Sequence, residues 1–360
     1  MLLACVRGPS LVVALVLALT ACSPRSTSSA QQPSPSALPT RNAVTQQGAT
    51  ARQPAGELFK FGLMGDQLYG ASGEARYPTL AADIDGAPIA FVAFGGDFKN
   101  GSSPCDDTTF EDRLARFSAS VHPFIFLPGD NEWSDCWRPQ DGGYDPIERL
   151  DKLRATFAAG DESLGQTRLR LDRQSSMPGF ERYRENVRWV VGNILFVGLN
   201  VQGSNNNRGR TAEQDAEFAE RQTANLAWMR DAFGLARTNG NAGVVIIWQA
   251  DPLILNTDPL YSNLPSQIRA ALAVSGLGSG YTELIAALKT EVQTFGKPVV
   301  LAHGDSHYFR VDKPFRDSSG ATMRNFTRVE WFGERDVGWV EATVDPSDPE
   351  LFSFRPILLD

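Results

Sequence analysis

Five times along this chain an apolar run of strand length breaks into a turn that carries a carboxylate, an amide or an imidazole. Phe59–Met64 leads to Asp66 and Pro88–Phe94 leads to Asp97. Pro123–Leu127 leads to Asp130, Asn131 and Glu132, and Val244–Trp248 to Gln249 and Asp251. Pro298–Ala302 leads to His303, Asp305 and His307. Short apolar runs closed by Gly, Pro or Asp read as buried strands. A single Gly-Asp after a strand is no more than a turn signal. Five of them constrain the chain much further, because a sheet whose strand ends align gathers these groups into one crevice.

The segments between the runs read as helices and late strands. Thr108–Ser118 has Asp107 or Thr108 as its cap and an apolar stripe of Phe110, Leu114 and Phe117. It joins two strands, which implies a right-handed parallel crossover. Tyr77–Ala82 reads as a short helix after a loop through Gly70 and Gly73, and Pro146–Phe157 as a longer one. Thr211–Ala236 opens with a capping box, Thr211 to Gln214, and assigns Phe218, Leu226, Trp228, Met229 and Phe233 to the core. Tyr281–Thr294 ends before Gly296. Val187–Val191 and Ile194–Val201 form a hairpin signal about Gly192-Asn193, while 160–180 shows no period. Thr327–Phe332, Val337–Val344 and Leu351–Arg355 read as strands. This order predicts an α/β layered sandwich, helices flanking sheets, with antiparallel additions late in the chain.

With 360 residues, 42% of them hydrophobic, the chain can bury one large core. A net charge of −8 and a pI of about 5.1 argue against a nucleic-acid surface. Carboxylates gathered in a crevice repel one another, so they call for a cation between them.

The first 55 residues read as export machinery. Arg7 precedes an apolar run, Leu11–Leu19, that is too short for a membrane span and fits a signal-peptide core. It ends in Leu19-Thr20-Ala21-Cys22, which resembles the lipobox of bacterial lipoproteins. That resemblance makes residues 1–21 a lipoprotein signal peptide and Cys22 the lipid-bearing first residue; a plain signal peptide is the alternative. Residues 22–55, rich in Ser, Pro and Gln, read as a disordered tether, with the folded domain at 56–360. The expected location is the cell envelope, lipid-anchored, on the periplasmic or outer surface. Cys105 and Cys136 remain in this oxidising setting, each a few residues beyond a strand-end carboxylate. If the strands ending at Asp97 and Asp130 are neighbours, the two cysteines are expected to bridge.

Asp66 in MGD, Asp97 in GGD, Gly129-Asp130-Asn131-Glu132, Gln249 after a buried strand and Gly304-Asp305-Ser306-His307 stand in the order of five blocks. In this the chain resembles the calcineurin-like metallophosphoesterases, over essentially all of its folded region. Gln222–Met229 also resembles a helix of the purple-acid-phosphatase-like branch. The resemblance implies a four-layer αββα sandwich of two mixed sheets flanked by helices. It also implies a metal-dependent phosphoesterase with two divalent cations, acting on phosphate mono- or diesters. Asp66, Asp97, Asp130, Gln249, Asp305 and His307 stand at its ligand positions, with Asp97 bridging. The departures are Leu68 in place of a first-block histidine, Asn131 in place of the histidine that assists the leaving group, and Gln249 and Asp305 in place of ligand imidazoles. Oxygen ligands move the preference from Zn and Fe toward Mn, Mg or Ca.

Asn131 and His303 stand as candidate catalytic groups. In an extended segment His303, Asp305 and His307 would point one way; a structural His303 bonded to a carbonyl is the alternative. His122 reads as a capping residue at a strand start. Trp133, Trp137, Arg138 and Tyr144 follow the central loop, and Asn205–Arg208 can approach from another; Arg138 and Asn205 are the candidate substrate-binding residues. The rival reading is a catalytically degenerate, metal-stabilised binding protein on the same fold.

Overall fold

Among the described residues, two mixed sheets carry the apolar runs at their centres. The computed structural model describes residues 56–254, 263–274, 276 and 278–359. The leader, Cys22 and the tether therefore lie outside the described residues. In the first sheet β1 (Phe59–Met64), β2 (Val92–Phe94) and β3 (Phe124–Phe126) pair in parallel. In the second, β6 (Ile194–Gly198), β7 (Gly243–Ile247) and β8 (Val299–His303) do the same. These last three strands are buried at every position, as expected for strands covered on both faces.

Antiparallel strands complete both sheets. β11 (Gly338–Val344) and β12 (Phe352–Leu358) extend the first sheet beyond β1. In the second, β5 (Val187–Val191) and the two-residue β4 (Asp172–Arg173) lie beyond β6. On the other side β10 (Phe326–Glu330) runs parallel to β8 and carries β9 (Arg310–Asp312) antiparallel to it.

Alternation along the strands divides the core into three slabs. Between the sheets, Phe61, Leu63 and Phe91 meet Phe196, Val245, Ile247 and Val300. Outside the second sheet, Leu195, Ile246 and Leu301 meet Trp228 and Phe233 of α4 (Ala212–Asn239) and Leu284 and Leu288 of α6 (Thr282–Phe295). Outside the first, Val92, Phe94 and Phe124 meet α1 (Gly70–Gly86), α2 (Asp107–Ala119) and α3 (Pro146–Phe157) through Leu80, Phe117 and Leu153. The layers are helix, sheet, sheet, helix. Each fully buried Phe or Leu contributes about 1.5–3 kcal/mol.

Four elements differ from expectation. α1 begins at Gly70, earlier than the short helix read from sequence, because Gly73, Tyr77, Leu80 and Ile84 form one buried stripe. Its Pro78 is tolerated on the exposed side. β4 and β9 carry no apolar alternation; they are short polar edge strands, formed by pairing with a neighbour. α5 (Ser266–Val274) has no counterpart in the sequence reading. No helix among the described residues is long and apolar enough to cross a membrane.

Candidate metal centre

The carboxyl ends of β1, β2, β3, β7 and β8 converge on one face of the sandwich. Asp97, Asp130 and Asp305 each offer an oxygen within 4.8 Å of the others, the first two buried and the third partly so. Asp66, Asp97 and Asp305 adopt left-handed backbone conformations, with φ of 52°, 62° and 77°. Such conformations cost about 1–3 kcal/mol each and persist where surrounding structure over-determines them. Asp tolerates them better than most residues.

The surrounding groups hold the acids in place. Gln249 directs Nε2 to Asp97 Oδ2 at 3.1 Å, Asp130 Oδ1 at 3.3 Å and Asp305 Oδ1 at 3.1 Å, while its Oε1 accepts from the Gly203 amide. In this arrangement the Gln249 side chain acts as a hydrogen-bond donor to all three acids. Asn131 Nδ2 donates to the same Asp97 oxygen at 2.9 Å, and the Tyr69 hydroxyl does so at 3.1 Å. Glu132, fully buried, accepts the amide hydrogens of Gly129 and Asp97 and so fixes the central loop against β2. Asp66 Oδ2 accepts from the indole of Trp331 at 2.8 Å and from the Asp305 amide at 3.2 Å.

Loss of hydration and mutual repulsion dominate the electrostatics. Burial, then the charges of Asp130, Glu132, Asp66 and Asp305, hold the Asp97 carboxyl well above the usual range. Burial, then Asp130 and Asp66, do the same to Asp305. Burial lifts Glu132 to about 7 against the pull of the Gly129 and Asp97 amides. Burial and Asp130 lift Asp135 to about 8. Desolvated anions of this density call for positive charge among them. A donor set of carboxylate oxygens fits a hard divalent cation.

The polar loop 203–210 enters the centre by an unusual backbone. Ser204, Asn205, Asn206 and Asn207 are left-handed in succession, with φ from 48° to 63°. L-residues pay about 1–2 kcal/mol each for that hand. The turn is held from outside. Arg221 of α4 reaches Asn206 Oδ1 and its carbonyl, Glu217 accepts from Asn207, and Asn205 Oδ1 accepts from the Gly280 amide. So braced, Ser204 places its hydroxyl 2.8 Å from both Asp130 Oδ2 and Asp135 Oδ2.

The two histidines of the last block part company. His307 stands 3.4 Å from Asp66 Oδ1 and packs edge-on against Tyr69. Burial alone would lower its pKa; the hydrogen bond and charge of Asp66, with Asp305 and Glu334, raise it to about 9. His303 lies on the other face of β8. Val300 and Ala302 face the inter-sheet core, whereas Val299 and Leu301 face the helices, and His303 continues that second row. The expected alternation stops there, because Asp305 and His307 have positive φ. His303 is fully buried, its Nδ1 is 2.9 Å from the Gly304 carbonyl, and burial lowers its pKa to about 4. His122 sits elsewhere, 3.1 Å from the Ile84 carbonyl.

Of the substrate-binding candidates, Arg138 is at the rim, its Nη2 2.6 Å from Asp135 Oδ2. Asn205 instead spends its amide on Gly280 and the Arg208 carbonyl. Cys105 and Cys136 are bridged, with Cα atoms 5.8 Å apart, which closes the loops that follow Asp97 and Asp130. Sequence reasoning missed Tyr69, Asp135, Ser204 and Trp331. Tyr69 and Asp135 lie beyond the residues in which the strand-end signals were read, and Trp331 is 265 positions from the carboxylate it binds.

No protein-family model matches the chain, and no curated protein does. Among solved structures, a dimetal phosphatase from Danio rerio aligns over 79% of this chain and 92% of its own, with a TM-score of 0.47 and 14% identity.

Proposed function

We propose that the chain is a metal-dependent hydrolase of phosphate esters. The observation that carries this is the convergence of Asp97, Asp130 and Asp305 at aligned strand ends. The block order that resembles calcineurin-like metallophosphoesterases supports it. Asp97, Asp130 and Asp305 would hold the metal, with Asp66 and His307 beside them. A bound divalent cation in such a site neutralises phosphate oxygens and lowers the pKa of water. The chain's own residues hold the acids in register: Gln249 and Asn131 by donating amide hydrogens, Glu132 by pinning two backbone amides, Trp331 by fixing Asp66. Arg138 supplies rim charge for the incoming anion.

One observation favours the rival reading, a degenerate binding protein. Asp97 Oδ2 already accepts from Tyr69, Asn131 and Gln249, and Asn131 cannot act as a general acid near neutral pH. Metal analysis of the purified chain, then a phosphoester screen with added manganese, separates the two. Bound metal with turnover supports the hydrolase; bound metal with no turnover under any cation leaves the binding protein.

Export belongs to this proposal, with Cys22 as the lipid-bearing residue and the tether spanning to the domain. Cys22→Ser should release soluble or uncleaved protein, and unchanged membrane association of that variant would rule the anchor out.

A further inference from the structure

The residues that follow Asp130 divide into two kinds. Trp133 is fully buried, with the Arg221 guanidinium 5.2 Å from its ring centre, and Tyr144 carries Arg149 at 4.8 Å. Both are committed to the protein. Trp137, by contrast, is 45% exposed, which is rare for a tryptophan. One side of its ring is met by Arg210, whose guanidinium lies 4.5 Å from the ring centre. Arg210 is itself tied down, by Gln214 Oε1 at 2.7 Å and the Ser134 carbonyl at 3.0 Å. The indole is thus an open, pre-ordered aromatic surface on a fixed cation.

Arg138 is the next residue in the chain. Asp135 holds its Nη2, and its Nη1 lies over Gly101, where a Cβ would come within 3.2 Å of Nη1 and 3.1 Å of Asn131 Oδ1. Glycine at this position leaves space between the guanidinium and the amide that bonds Asp97. An acidic centre repels a phosphate dianion, so a rim that attracts one needs fixed positive charge, and two guanidinium groups supply it here.

We propose that Trp137, backed by Arg210, binds the flat ring of an aromatic or heteroaromatic phosphate ester, while Arg138 receives its phosphate oxygens at the edge of the acid trio. This rests on the phosphoesterase reading and names its substrate class. A cation on the far face of the indole keeps the ring in place, so stacking a substrate ring on the near face costs little further ordering. The face selects by shape: a planar ring covers it, and a bare sugar or polyol does not.

AMP and ribose 5-phosphate test this, because they share a primary alkyl leaving group and differ by the heteroaromatic ring. The manganese-loaded full chain should bind AMP about 10-fold or more tightly by calorimetry and show a matching kcat/KM preference. Trp137→Ala should remove that preference and leave ribose 5-phosphate unchanged, whereas Trp137→Phe should retain most of it. Tighter AMP binding without turnover would keep the platform and defeat the hydrolase. Turnover of both esters at equal kcat/KM, or an equal loss for both in Trp137→Ala, would overturn the platform and keep the hydrolase. Binding of neither ester would overturn the platform.

Discussion

The indole Nε1–H of Trp331 donates to Asp66 Oδ2 across 2.8 Å, joining the end of β10 to the end of β1. The ring is fully buried between strand-end glycines, and a Cβ at Gly95 or Gly304 would lie 2.2 or 2.3 Å from it. One side chain therefore packs the top of the inter-sheet core and orients a candidate ligand. Trp331→Phe keeps most of the volume and loses the donor to a buried carboxylate. We expect a stability loss of about 1.5–3 kcal/mol in urea titration, with weaker metal binding.

The Cys105–Cys136 bridge spans 31 positions of sequence. The chain-entropy relation puts its stabilisation at about 3–4 kcal/mol. Replacing both cysteines by serine should lower the urea midpoint accordingly and loosen the central loop that carries Asp130. Free-thiol titration of the unfolded, unreduced domain should find neither cysteine.

Arg154 of α3 holds Glu185 by two hydrogen bonds of 2.8 and 2.7 Å, and Asn200 adds a third. Burial opposes ionisation of Glu185, but the Arg154 charge outweighs it and the carboxyl sits below its ordinary value of 4.5. A depressed pKa in the folded state makes this pair stabilising above that value. The contribution is lost as pH falls through the lower value that the fold imposes. Glu185→Gln should flatten the acid limb of stability against pH. Glu185→Ala, which strands the buried guanidinium, should cost about 3–5 kcal/mol at pH 7.

Asn131 can donate a hydrogen bond to a developing charge but cannot deliver a proton to a poor leaving group. Activated aryl phosphoesters should therefore be cleaved far better than alkyl ones, and Asn131→His should narrow the gap. Asp97→Asn should lower metal content and activity together. A variant that loses only thermal stability would contradict the place given to Asp97.

The strands and their acid ends were legible because β1, β2, β3, β7 and β8 are predominantly apolar runs closed by turn residues. The pairing of Cys105 with Cys136 followed from β2 and β3 being neighbours. Of the two readings of His303 the geometry fits the structural one, bonded to a backbone carbonyl, because period-two reasoning holds only while the chain stays extended, and it leaves that conformation before Asp305. Ser204 was seen only as part of a polar loop and Asn205 was assigned to substrate, whereas Asn205 bonds Gly280 and Arg208 within the protein; polarity alone does not show which way a left-handed turn of Ser and Asn aims its side chains. Trp331 looks like any core tryptophan until the fold sets it against Asp66.

The Ser204–Asn207 turn carries a consequence for how the protein assembles. Its backbone hand is unfavourable on its own, so this segment cannot start folding. The groups that brace it belong to α4, which follows directly, and to residues 279–281, 75 positions on in the case of Gly280. Ser204 can thus reach Asp130 and Asp135 only once both have docked, which makes the floor of the acid crevice a late event in folding. The same dependence runs backward: the turn can let go while the sandwich stays intact, so its amides should exchange with solvent through openings well below the cost of global unfolding.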